Sequence, residues 1–179
     1  SRLLDDSDEA KRYEGGAYVT LYLAPNDYHR IHSPVSGTVA RATVVPGALM
    51  PVFAEALERV DELFARNERL VSYVDGAAGR VAVVKVGATL VGRISVVYDT
   101  SLRTNQKKGS RRSVTYDPPH AIQKGAELGA FELGSTVIVI AEAGRVELVD
   151  LHGGDAVRMG QRIGTIVSRK PSRKRKASS

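Results

Sequence analysis

Residues 69–98 read RLVSYVDGAAGRVAVVKVGATLVGRISVVY, and this stretch decides the fold class. Val, Ile and Tyr dominate it, in runs broken by glycine at 76, 79, 87 and 92. β-Branched and aromatic side chains fit a pleated, half-buried surface better than a helix, and the glycines mark the ends of runs. The spacing predicts strands over Arg69–Val74, Gly79–Val86 and Thr89–Tyr98. Working outward, Tyr18–Leu23, Thr38–Val45, Glu132–Ile140, Arg145–Val149 and Arg162–Val167 read the same way, with Pro46-Gly47 as a turn signal. Only Ala54–Arg66 has helical spacing, in Leu57, Val60, Leu63 and Phe64. The expected class is mainly β with minor helix, α+β.

Residues 100–120 are polar, with Arg103, Lys107, Lys108, Arg111 and Arg112 and no acid between Arg103 and Asp117. They read as a long loop or a hairpin with a mobile tip. The basic residues make a solvated loop and a phosphate contact equally reasonable, with Arg111 and Arg112 as candidate substrate-binding residues.

The 179 residues are 42% hydrophobic, which suffices for one domain with a core. No apolar run approaches the roughly 18 residues that span a bilayer. The start, SRLLDDSDEAKRYEGG, is acidic and polar, unlike a secretory signal. There is no cysteine, which excludes disulfides and thiolate chemistry. The net charge of +6 is local: six of the 26 Lys and Arg lie at 169–176, and the remainder balance the 20 acids. Residues 1–167 are therefore expected to form the domain, and 168–179 a basic, disordered tail. Such a tail suits an anionic lipid surface or nucleic acid by electrostatics alone, but the neutral body offers no platform for nucleic acid, so none is expected as a partner.

Two segments share a pattern, SPVSGTVARATVVPGALM (33–50) and RVELVDLHGGDAVRMGQRIGTIV (145–167). The string Gly154-Asp155-Ala156-Val157-Arg158-Met159-Gly160-Gln161-Arg162-Ile163-Gly164 resembles the turn of biotinyl- and lipoyl-carrier domains. That implies a barrel-sandwich, lipoyl-like β architecture. No modifiable lysine stands between Met or Ala residues, so the likeness concerns the fold.

Two elements carry possible chemistry: Asp27-Tyr28-His29-Arg30-Ile31-His32-Ser33-Pro34, and Lys124 to Thr136, KGAELGAFELGST. A strained Gly134-Ser135 peptide would expose its carbonyl to the Ser135 hydroxyl, although Gly-Ser-Thr also suits an ordinary turn. Histidines three apart share a face in a helical turn and oppose each other in a strand. Pro34 disfavours helix just before it. Both histidines suit proton transfer or a structural role alike. His120 and His152 lie far off, with no metal-ligand spacing.

The blocks YLAPNDYHRIHSPVSG, LFARNERLV, VKVGATLVGRI and KGAELGAFELGSTVIVI, in this order, resemble the phosphatidylserine decarboxylase family. The resemblance implies a chain that cuts itself between Gly134 and Ser135. Its larger fragment is 1–134 and its smaller one 135–179, and the two remain associated. It implies a covalent pyruvoyl group derived from Ser135 as the cofactor. That group does the work of pyridoxal phosphate in turning phosphatidylserine into phosphatidylethanolamine. His32 matches the base that activates the serine, and His29 the histidine linked to decarboxylation. A peripheral place on the cytoplasmic face of a bacterial membrane, with an anionic surface and a homodimer as further partners, is implied as well.

One departure stands out. The family's self-cleaving centre uses an aspartate in an upstream Ser-Pro-x-Asp-Gly-like segment, and none precedes residue 16 here. Ser33-Pro34-Val35-Ser36-Gly37 has serine at that position. Either the chain is a fragment that never matures, or another acid orients His32. The alternatives are a noncatalytic barrel-sandwich binding module and an enzyme of the same chemistry on a different serine lipid.

Overall fold

The computed structural model describes residues 2–89, 93–106, 109–132 and 135–167, and of Ser135 the backbone. The cleavage-site Gly134, the tail 168–179 and the loop residues Lys107 and Lys108 lie outside the described residues.

Strand β5 (Gly79–Val86) alternates between two apolar layers. Val81 and Val83 enter one core cluster, and Ala82, Val84 and Val86 another. Burial on both faces explains why the run VAVVKV is apolar on both faces except at Lys85, rather than in alternate positions. The strand sits in a six-stranded antiparallel sheet in the order β1 (Ala17–Leu23), β9 (Ser135–Ala141), β5, β4 (Arg69–Gly76), β3 (Gly37–Val45), β7 (Arg112–Ile122). Its inner face packs on a three-stranded sheet, β2 (Arg30–His32), β8 (Glu127–Phe131), β6 (Ile94–Val96), through Ile31, Leu128, Phe131, Ile94 and Val96. Gly129 of β8 lies so close to β6 that a Cβ there would sit 2.3 Å from the Ser95 carbonyl oxygen. Beyond Gly144, β10 (Val146–Leu148) and β11 (Gly164–Ile166) form a two-stranded ribbon, and Gly154–Gly164 belongs to the connection between them.

The outer face is closed by the N-terminal segment, which carries α1 (Ser7–Lys11) and places Leu4 and Tyr13 over Val71, Tyr73, Ala82 and Val84. Two polar groups hold it there. Arg69, 2% exposed, donates to the carbonyl oxygens of Arg2, Leu3, Ala65 and Asn67 at 2.6–2.9 Å. The Glu9 carboxylate, buried, accepts from Arg80 at 3.1 Å and lies 3.5 Å from Arg41. The Arg41 and Arg80 guanidiniums stand over the Tyr73 ring at 5.4 and 5.9 Å.

The mainly β, minor-helix reading holds, with three local corrections: of the strand expected over Thr89–Tyr98 only β6 (Ile94–Val96) is strand, residues 90–92 lying outside the described residues. The helix expected over Ala54–Arg66 is two short helices, α2 (Ala54–Arg59) and α3 (Leu63–Arg66). Val60 is extended and Glu62 left-handed with φ 54°, which turns Leu63 into the core while Leu57 stays exposed. The polar stretch read as a loop is, from Arg112 on, the edge strand β7. Its register against β3 pairs Val44 with Arg112 and Ala42 with Val114. An edge strand with one wet face tolerates polar side chains, and its alternation was hidden by them.

Lys85 shares the inner face with Val81 and Val83 and is fully buried; its Nζ donates to Ser72 Oγ at 2.7 Å and the Val83 carbonyl at 3.2 Å. Burial pushes it down from 10.5 to about 7. Between those values the unfolded chain binds a proton that the native one lacks, so stability rises with pH. The burial cost is full below about pH 7 and gone above about 10.5. Lys85→Met should therefore raise the melting temperature markedly near pH 6 and little near pH 10.5; an equal gain at both would contradict this. Glu9→Gln should cost about 2 kcal/mol in denaturant unfolding, because charge-assisted hydrogen bonds to buried partners are lost.

Candidate active site

The sheet register, not sequence distance, builds the site. Leu23 ends β1 opposite Ser135, which begins β9. Arg30 begins β2 opposite Ala130 of β8. The segment 24–29 therefore runs from the end of β1 to the start of β2, and the His29 carbonyl accepts from Phe131 N at 3.0 Å. Ser135 is thus paired with the end of β1, and β2, which carries His32, with β8.

Within the first connection, the Asp27 side chain accepts from Ala24 N at 2.8 Å, and Asp27 N donates to the Ala24 carbonyl at 2.9 Å. This local hydrogen-bonded turn is a common use of Asp before a strand. Tyr28 follows it, 48% exposed. His32 sits at a register shift in the β2–β8 pairing, opposite Glu127. Glu127 is taken by Arg30 at 2.9 Å, whose guanidinium it holds more firmly protonated.

The His32 imidazole has a partner at each nitrogen. Nδ1 lies 2.7 Å from the Gly125 carbonyl oxygen, and Nε2 lies 2.8 Å from Tyr28 Oη. Gly125 has φ +80°, which glycine adopts freely, and the turn is pinned by Gly125 N to the Ser33 carbonyl and Ser33 N to the Ala126 carbonyl, both 2.9 Å. A carbonyl only accepts, so Nδ1 carries the proton and Nε2 is the lone-pair nitrogen that receives the Tyr28 hydroxyl. Among the described residues no carboxylate bonds to His32. His29 differs: its Nε2 is buried without a hydrogen-bond partner. The adjoining Thr136, fully buried, also has an unpartnered hydroxyl.

Arg111 and Arg112 are engaged elsewhere. Arg111 donates to the Asp5 carboxylate at 2.7 Å, and Arg112 to the Ser101 carbonyl and hydroxyl at 3.3 and 3.2 Å. They stand four strands from β9, roughly 19 Å at ordinary strand spacing. They are nonetheless at the same end of the sheet, since the register runs Thr136–Val86–Arg69–Val45 and the neighbouring Val44 faces Arg112. His120, whose ring lies 4.6 Å from that of Tyr116, belongs to β7, and exposed His152 stands between Asp150 and Asp155. Sequence reasoning passed over Tyr28 and the Gly125 carbonyl. The signal was present for Tyr28, four residues before His32, but not for a carbonyl 93 residues away.

The fold is a two-sheet β domain with His29 just ahead of β2, His32 at its end and Ser135 at the start of β9. The family is shown by comparison: the family model for phosphatidylserine decarboxylase matches residues 1–165, and the chain belongs to that family. Similar proteins named phosphatidylserine decarboxylase proenzyme come from Myxococcus xanthus, 47% identical over 92% of this chain, and Anaeromyxobacter sp., 49% identical over 90%. A third, from Brevibacillus brevis, is 45% identical over 92%. The chain spans 58–60% of the length of these relatives.

Asp27→Ala should free the Ala24–Asp27 turn, lower stability by about 1 kcal/mol and broaden the amide signals of 24–29, whereas Asp27→Asn keeps an acceptor and should stay near the parent. Chemical unfolding and backbone NMR of both variants check this.

Proposed function

We propose that the chain is the catalytic part of a pyruvoyl-dependent decarboxylase that converts phosphatidylserine to phosphatidylethanolamine after self-cleavage at Gly134-Ser135. The observation that supports this reading is the β1–β9 register, which sets Leu23 opposite Ser135, with the segment that carries His29 leading on from Leu23 to β2.

In the maturation step the Ser135 hydroxyl loses its proton to His32 Nε2 and attacks the Gly134 carbonyl, replacing the amide by an ester. Loss of the Ser135 α-proton then expels the Gly134 carboxylate. Water completes the change by releasing ammonia, which leaves a pyruvoyl group at position 135. The strand start fits such a group. β9 is hydrogen-bonded to β1 and β5, with Thr136, Val137 and Ile138 buried, so a cut ahead of it leaves fragments 1–134 and 135–179 associated. His29 Nε2 is a buried group in want of a hydrogen-bond partner, as a proton donor to substrate requires. When present, the pyruvoyl group supplies an electron-withdrawing carbonyl that accepts the substrate amine and draws electrons as carbon dioxide leaves.

Arg111 and Arg112, at the same end of the sheet but four strands away, are assigned to neighbouring anionic headgroups rather than to the reacting lipid. With this assignment goes a peripheral place on a membrane surface as part of the proposal; among the described residues no helix is long and apolar enough to cross a membrane. A second reading, carried by the neutral partners of His32 in this structure, is an immature or noncatalytic chain.

A denaturing intact mass separates the two. Two fragments broken between 134 and 135, the smaller lighter by one ammonia than a serine-started chain, are expected, with Ser135→Ala remaining unbroken. A single unbroken parent chain under all conditions would support the second reading. Assay of the cleaved protein with phosphatidylserine in detergent then tests the substrate.

A further inference from the structure

Tyr28 touches His32 in two ways that the reaction scheme does not use. Its hydroxyl reaches Nε2 at 2.8 Å, and its ring stacks on the imidazole with centroids 5.7 Å apart and planes 26° from parallel. The Gly125 carbonyl holds the opposite nitrogen at 2.7 Å. An imidazole bonded at both nitrogens and stacked on one face has its plane, tautomer and rotation set together. In a serine–histidine–carboxylate triad a carboxylate provides the tautomer and the orientation. Here both are provided by neutral groups.

We infer that Tyr28 is a positioning residue for His32, clamping the imidazole against Gly125 so that Nε2 remains the basic nitrogen. This rests on the proposed self-cleavage, in which His32 is the base. A hydroxyl suits the task because it donates to a lone pair and accepts from an N–H equally well. While Nε2 is unprotonated, Tyr28 donates to it. The Tyr28 O–H must turn away to free that lone pair for the serine proton, after which its oxygen accepts from the new N–H. No proton leaves Tyr28, and the imidazole keeps a partner in both states. A carbonyl at Nδ1 lacks the charge with which a carboxylate would favour the imidazolium, so a second partner that accepts matters more here than in a triad. The charged groups on the elements around this pair are Arg30 and Glu127, bound to each other, with Asp27 on the preceding turn and Lys124 beside Gly125.

The test is Tyr28→Phe, which keeps the stacked ring and removes the hydroxyl. Tyr28 is half exposed, so folding should survive, and the melting temperature verifies this. Two readouts are made on the full chain. The first is ¹⁵N NMR of the imidazoles in Ser135→Ala, with and without Tyr28→Phe, which works whether or not the parent cleaves. The parent background should show His32 as a single Nδ1–H tautomer. The variant should show a mixture of tautomers with His29 unmoved. The second is the rate of fragment appearance against pH in the parent and in Tyr28→Phe. It should fall roughly tenfold, part of what a general base contributes, with the midpoint of the pH profile displaced. An unchanged His32 tautomer together with an unchanged rate and pH profile would overturn the inference. A parent that never cleaves would instead sink the functional reading and leave the NMR result to decide the role of Tyr28.

Discussion

Everything at the candidate site depends on the hydrogen-bonded pairing of β1 with β9, seven residues in register from Ala17–Ala141 to Leu23–Ser135. Register is strongly specified where one face of a strand is buried, because a slip by one residue turns the whole apolar set outward. Leu21, Leu23, Val137 and Val139 pack on the inner core, so such a slip of β1 would move Leu21 and Leu23 to the outer face. The same slip would carry Ser135 away from the connection that holds His29. Core packing thus sets the position of a polar site that contributes little packing of its own.

The outer face serves the same end from the other side. Strands β5 and β4 are apolar on both faces, and water on either would make the sheet a poor base for β9. The N-terminal segment excludes it, with Glu9 and Arg69 turning three arginines into fasteners. Burying such charges is tolerable only because each finds several partners: Arg69 has four carbonyls, and Arg80 has Asp75 as well as Glu9. Lys85 is the exception. It has one hydroxyl and one carbonyl, and it meets its burial by giving up a proton near neutrality.

The strands were legible in the sequence where both faces are apolar, as in β4 and β5, or where a glycine or Pro-Gly ends the run, as in β3. They were illegible where the wet face dominates. β7 sets exposed Arg112, Ser113, Thr115 and Asp117 around the partly buried Val114 and Tyr116, and its pairing to β3 joins residues about 70 to 85 positions apart. The break in Ala54–Arg66 was hidden because Leu57, Val60, Leu63 and Phe64 satisfy the helical period whether or not the backbone does. Of the site, the residue types in YHRIHSP and ELGST were readable, and their juxtaposition was not. It comes from two strand pairings, each of long sequence separation. The substitute for an orienting carboxylate was hidden for the same reason, since a backbone carbonyl has no letter in the sequence.

Strand β9 has a further consequence for the life of the molecule. As one chain, the protein finds its β1–β9 and β5–β9 pairings within a single polymer, at a high effective concentration. If the backbone is opened ahead of β9 as proposed, the same pairings would survive in the native state but be regained after unfolding only by two separate molecules meeting. Folding would then be a one-way passage: easy for the precursor, dependent on protein concentration for the mature form. Its persistence would be governed by how slowly β9 is pulled from between its neighbours rather than by an equilibrium.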